Sequence, residues 1–190
     1  LLDFLAKRDA LWILVFILLY KLGDTVASQM TTPFFLELGY SKTEIGAVVK
    51  LFGFWATVFG GLLGGIVIMR IGLYASLWYF GIVQALSTAV FSVLTVTGAS
   101  VAALASVVSF ENVSGGLGTA AFVAFMANLT DRRFTATQYA LLSSLMGVPR
   151  VIASAPSGWL AGQLGWQVFF VACALAAIPG MIVLVKFRSW

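Results

Sequence analysis

Apolar runs long enough to cross a bilayer follow one another along this chain with only a few residues between them, and that pattern constrains the fold more than any other feature. A helix needs about 20 apolar residues to span a hydrocarbon core of about 30 Å. Inside hydrocarbon every backbone N–H and C=O must be satisfied within the segment, so each run reads as a transmembrane helix. Composition agrees. Of the 190 residues, 61% are apolar and 9% charged, and the mean hydropathy is +1.03. A soluble domain carries roughly 25% charged residues, so a water-solvated surface is excluded. The net charge of +4 comes from scattered basic residues with no stripe, which argues against nucleic acid. Histidine is absent and Cys173 stands alone in an apolar run, which excludes zinc chemistry, a Cys/His nucleophile and an internal disulfide. Neither an enzyme nor a bound metal or cofactor is expected.

The runs predict six spans. The first covers about Leu11 to Leu38 and ends at Gly39-Tyr40. The second follows the capping box Ser41-x-x-Glu44 and continues to about Met69. The third covers about Tyr74 to Val96, and the fourth runs from near Val101 to near Thr130. The fifth starts at Thr135-x-x-Gln138 and reaches Ala161, and the sixth covers about Trp166 to Val185. Such short connections make consecutive helices antiparallel neighbours. On one face fall Lys7, Arg8, Arg70, Arg132, Arg133, Lys186 and Arg188, and on the other only Lys42. Cytoplasmic loops keep the basic residues, so both termini are expected in the cytoplasm, in agreement with an even number of spans.

Five ionisable residues remain within the spans: Lys21, Asp24, Lys50, Glu111 and Arg150. At mid-helix Asp, Lys or Arg costs about 2.5–3.5 kcal/mol, so such residues are functional candidates by default. At 1.5 Å per residue, Lys50 lies about 13 Å from Ser41 and Glu111 about 15 Å from Val101, both near the midplane. Lys21 and Asp24, three residues apart, share a helix face and can neutralise each other. Three cations against two anions leave one positive charge unmatched, and an anionic substrate would match it. Glu111 has no basic neighbour in its own helix and can stay at that depth by taking up a proton. Glu111 and Asp24 are therefore the proton-coupling candidates. Lys21, Lys50, Asn112 and Arg150 are the substrate-binding candidates.

Small residues mark both close helix packing and backbone that opens onto a cavity. Gly60-x-x-x-Gly64, Gly61-x-x-x-Gly65 and Ala172-x-x-x-Ala176-x-x-x-Gly180 read as packing seams. The run Ser114-Gly115-Gly116-Leu117-Gly118 fits either role. Gly116-x-Gly118-x-x-Ala121 matches a dinucleotide fingerprint, but no strand precedes it. Leu22-Gly23-Asp24 matches part of an intramembrane aspartyl protease site, but the second membrane aspartate is missing.

Two groups of three spans echo each other, with Asp24 and Glu111 in the leading helices and Lys50 and Arg150 in the middle ones. The expected organisation is repeat one over about 10–97 and an inverted repeat two over about 98–190, a common build for secondary transporters. Gly65-x-x-x-Met69-Arg70-Ile71-Gly72 resembles the Gly-x-x-x-Asp-Arg-x-Gly loop of major facilitator transporters, without its Asp. Five segments sharpen the likeness: Leu19-Tyr20-Lys21-Leu22-Gly23-Asp24, Thr31-Thr32-Pro33-Phe34, Glu44-Ile45-Gly46-Ala47-Val48-Val49-Lys50, Phe110-Glu111-Asn112-Val113-Ser114-Gly115-Gly116 and Phe134-Thr135-Ala136-Thr137-Gln138-Tyr139-Ala140-Leu141-Leu142-Ser143. In order, they resemble the C-terminal half of the AmpG muropeptide permease family. The resemblance implies an all-α integral membrane protein with six transmembrane helices, one half of a major facilitator fold. It also implies proton symport of anhydromuramyl muropeptides across the bacterial inner membrane for peptidoglycan recycling, with a link to β-lactamase induction in some bacteria. The implied partners are the anionic muropeptide, protons, the lipid bilayer and an N-terminal six-helix half. For a muropeptide the resemblance implies that Arg150, Lys50 and Lys21 hold stem-peptide carboxylates, Arg150 by a bidentate fork, and makes Trp55, Phe110 and Phe122 candidates for packing against sugar faces, although the sixteen Phe mostly mean lipid contact or core. Another anionic solute such as acetyl-coenzyme A, carried by a related transporter branch, is the alternative substrate. A non-transporting membrane assembly module is the alternative of a different class.

Overall fold

The computed structural model describes residues 10–129, 139–141, 143–144 and 147–188, apart from the side chains at 10, 149, 150 and 153–155. The described residues contain no strand. The long helices are α1 (Leu11–Glu37), α2 (Lys42–Ile71), α3 (Leu73–Thr97), α4 (Val101–Leu129), α5 (Gly147–Leu164) and α6 (Trp166–Phe187). All but α5 are, by length and composition, long and apolar enough to cross a membrane. This is the all-helical membrane architecture expected from the sequence. The Thr135-x-x-Gln138 start of the fifth span lies outside the described residues, and α5 runs three residues past the expected Ala161.

The turns show why the connections are so short. Gly39, Gly72, Gly98 and Gly165 each sit at positive φ, between 70° and 94°, at the four described corners. Glycine enters that region at no steric cost, so a chain can reverse there within a few residues. After the first corner the capping box forms as expected. The Ser41 N–H donates to Glu44 Oε2 at 2.8 Å, and the Glu44 N–H donates to Ser41 Oγ at 3.2 Å. Tyr40 donates its hydroxyl to Ser100 O at 3.0 Å and so ties this corner to the loop between α3 and α4. Burial pushes the Tyr40 phenol above its ordinary pKa, so the donor form persists through the physiological range.

α4 packs against α2 and α3, α6 against α1 and α3, and α5 against α1. The buried core divides into two aromatic clusters. One joins the first half of α1 to the second half of α4, with Tyr20 stacked on Phe122 at 5.5 Å between ring centroids. The other joins the second half of α1 to the first half of α4, with Phe91 stacked on Phe170 at 5.0 Å. Antiparallel helices place these clusters at opposite ends of the bundle.

Several spans are not uniformly α-helical. α1 is broken at Lys21, between Ala10–Tyr20 and Leu22–Glu37. α2 contains a π-helical turn at Val49–Gly53, which includes Lys50. α6 is interrupted at Ala176 and Ala177, just before Pro179, whose ring nitrogen has no proton to donate. Glycines clamp the break in α1 onto α6. A Cβ on Gly23 would collide with Cys173 O, and one on Gly180 would lie 2.7 Å from Tyr20 Cα.

Candidate functional site

Between the two aromatic clusters lies a polar layer, built by the break in α1 and the middles of α3 and α4. The break makes Asp24 part of a first helical turn, where a carboxylate is favoured by the unpaired N–H groups and the helix dipole. Lys21 Nζ lies 3.7 Å from Asp24 Oδ2 and donates to Thr119 Oγ1 of α4 at 2.8 Å. The Glu111 carboxyl of α4 lies beside Asp24 and Ser87, with Lys21 close by. Its Oε2 and the Nε2 of Gln84 are buried without a hydrogen-bond partner among the described residues. Ser114 Oγ is 2.6 Å from Ser87 Oγ, which is in turn 2.9 Å from Gln84 O. A short chain of hydroxyls therefore leads to the acid from behind.

In front of the acids is a cavity of about 340 Å³, whose polar lining includes Lys21, Asp24, Thr57, Glu111, Asn112 and Thr119. It gathers four of the six candidate residues. Asn112 is held by its own helix and by α2: its Nδ2 donates to Val108 O at 2.8 Å, and Thr57 Oγ1 lies 2.9 Å from its Oδ1. Lys50 is not brought to this group. It is exposed on the π turn, while its neighbour Val49 lines the cavity. Arg150 belongs to α5, but its side chain lies outside the described residues.

The aromatic expectation needs correction at Phe122. Phe122 is fully buried in the first core cluster and has no surface to offer a sugar. Trp55 and Phe110 are exposed and do not line the cavity, whereas Phe35 and Phe91 do. Aromatic residues serve the core and the outside of a membrane bundle alike, so type alone does not place them.

The glycine run of α4 divides its labour. A Cβ on Gly116 would lie within 2.8 Å of Gly61 N and collide with Thr57 O, so this glycine brings α2 and α4 into backbone contact. Gly60 and Gly64 complete that seam against Val113, Leu117 and Ala120, while Gly61 and Gly65 face open space. Gly118 makes room for the Gln84 side chain, and Gly115 lines the cavity.

No family model matches the chain. Curated relatives do. It is 41% identical over 188 residues to the anhydromuropeptide permease of Escherichia coli (strain K12), an alignment covering 98% of this chain and 38% of that protein. It is 38% identical over 177 residues to the putative transporter AmpG 1 of Rickettsia prowazekii (strain Madrid E), covering 93% of this chain and 40% of that one. The chain belongs to the AmpG-type permease family. It spans about two fifths of the length of these curated relatives.

Within this AmpG-type segment, sequence reasoning missed Gln84, Ser87 and Thr57. A signal for the first two was present. Gln84, Ser87 and Thr88 recur at helical spacing on one face of the middle of α3, and all three are buried. Polar residues on one face of a membrane helix point to a partner inside the bundle, and here that partner is the Glu111 layer.

Proposed function

We propose that this chain forms one wall of a proton-coupled carrier that imports anhydromuropeptides across the bacterial inner membrane, with both of its termini in the cytoplasm. The observation that carries the reading is the cavity joining Lys21, Asp24, Glu111 and Asn112 among helices of membrane-spanning length. Intramembrane acids and bases mark substrate pathways and proton relays. A stem-peptide carboxylate suits Lys21, a sugar hydroxyl or amide suits Asn112, and the coupling proton suits Glu111, with Asp24 as its neighbour. The names of the relatives supply the substrate class. An N-terminal half of the carrier supplies the facing wall.

The test uses the full-length protein in proteoliposomes with an inward proton gradient and a radiolabelled anhydromuramyl tripeptide. Glu111→Gln is expected to abolish uphill accumulation while exchange of labelled for unlabelled substrate continues. Unchanged uphill accumulation would take the coupling proton away from Glu111.

A further inference from the structure

Lys21 is the charged group on which the two functions of this cavity converge. Its 3.7 Å approach to Asp24 is an ion pair without the close contact of a charge-assisted hydrogen bond, which measures about 2.7–2.9 Å. The bond that fixes the ammonium is the one to Thr119, on the opposite wall. The ammonium is therefore anchored independently of the carboxylate it neutralises.

The charges set the order of events. Asp24 and Glu111 line the same cavity as Lys21, and a single ammonium balances one carboxylate, not two. With one proton on the pair, the remaining carboxylate balances Lys21 and the layer is neutral. A second proton leaves Lys21 without a counter-charge in a poorly solvated site. A carboxylate arriving through the cavity restores neutrality. The other groups around Asp24 do not supply that charge. Tyr20 of α1 and Cys173 of α6 line a small chamber behind it together with Gln84 and Thr88 of α3, and no ionisable residue of α2 lines the cavity among the described residues. Arg150, on α5, lies outside the described side chains.

We propose that Lys21 is a counter-ion shared in turn by Asp24 and by a carboxylate of the substrate, so that proton uptake by the Asp24–Glu111 pair and anion binding are one linked step. The proposal rests on the carrier reading given above and specifies how that site couples its two cargoes. One proton and one carboxylate enter together, and the layer gains no net charge.

The experiment measures equilibrium exchange of a radiolabelled anhydromuramyl tripeptide by the full-length protein, with the same pH on both sides of the vesicle, from acid to neutral conditions. In the unsubstituted protein, apparent affinity should fall toward a limit of about tenfold per pH unit, the slope of one linked proton. Asp24→Asn/Glu111→Gln should flatten that slope, because no carboxylate of the pair is then left to balance Lys21. The double variant Lys21→Met/Asp24→Asn should bind the free acid about tenfold or more weakly than Asp24→Asn alone, the scale of a lost charged hydrogen bond. The unsubstituted protein should bind a stem-amidated tripeptide with little pH dependence, a comparison that requires no variant to fold. A wild-type slope in Asp24→Asn/Glu111→Gln, equal affinity in Asp24→Asn and Lys21→Met/Asp24→Asn, or the same slope for the amidated and free-acid substrates would each overturn the proposal. Those results are compatible with uphill accumulation driven through Glu111, whereas absence of proton-driven accumulation in the unsubstituted protein would overturn the carrier reading itself.

Discussion

The two faces of α4 use the same kind of sequence for opposite ends. Toward α2, Gly116 meets the backbone of Thr57, Gly60 and Gly61, and Gly64 meets Leu117 and Ala120, across a seam so close that neighbouring atoms fill the space where side chains would stand. Toward α1, Glu111, Gly115 and Thr119 line a cavity together with Lys21 and Asp24, and Thr119 accepts the Lys21 hydrogen bond at its edge. A single stretch of glycine-rich helix thus closes on one side and opens on the other. The role of a small residue in a membrane helix is therefore settled by the face it occupies. Close packing on the α2 side holds the backbone of α4, and a fixed backbone keeps Glu111 beside Asp24 at the cavity.

The largest effect should come from breaking the closed face. Gly116→Val places two methyl groups against the Thr57 carbonyl and should cost about 3 kcal/mol or more, the upper range for overpacking a tight contact. Loss of monodisperse protein in detergent, or a large fall in its unfolding temperature, would register this. A variant as stable as the parent would mean that the seam is looser than its backbone contacts imply. Gly115→Ala tests the open face with the smallest possible side chain. The new methyl would meet only Gln84 Nε2, at 3.9 Å, so the usual helix preference for alanine should stabilise the protein by about 0.5–1 kcal/mol. Destabilisation there would show that the open face is nearly as crowded as the closed one. The smallest change is expected at the boundary of the two faces, where Thr57 reaches Asn112. Thr57→Val removes the hydroxyl at nearly constant volume and should cost about 0.6 kcal/mol, the mean for hydrogen bonds between membrane helices. Unfolding of both proteins under matched lipid conditions measures the difference.

Much of this organisation is legible in the sequence because the bilayer imposes a simple rule. Spans, corner glycines, the Ser41-x-x-Glu44 box and the Lys21–Asp24 pair all follow from length, turn chemistry and spacing along one chain. What escapes depends on rotation about a helix axis. Gly60-x-x-x-Gly64 and Gly61-x-x-x-Gly65 are equivalent as patterns, and only the position of α4 selects the first. Depth can be counted for Lys50, whereas its direction cannot, because apolar periodicity does not register the extra residue of a π turn. Phe122 is hard to place for a related reason: in a span apolar on every side, burial and exposure leave the same composition. Glu111 is conspicuous because a lone acid at mid-membrane stands out, and Gln84 escapes notice because an uncharged amide does not.

The π turn at Val49–Gly53 also bears on how such a site can change between related chains. A π turn carries one residue more than the α-helix it interrupts, and one residue is worth about 100° of rotation around the axis. Beyond it, α2 is pinned to α4 at Gly60 and Gly64. Deleting one residue within the turn would let the helix wind evenly from there, and the segment before it would swivel, carrying Lys50 and Val49 to new bearings around the cavity mouth. The hydropathy profile would hardly register the edit. Two chains of this build can therefore share every span and still present different side chains to the cavity, through a change in length that no substitution reproduces.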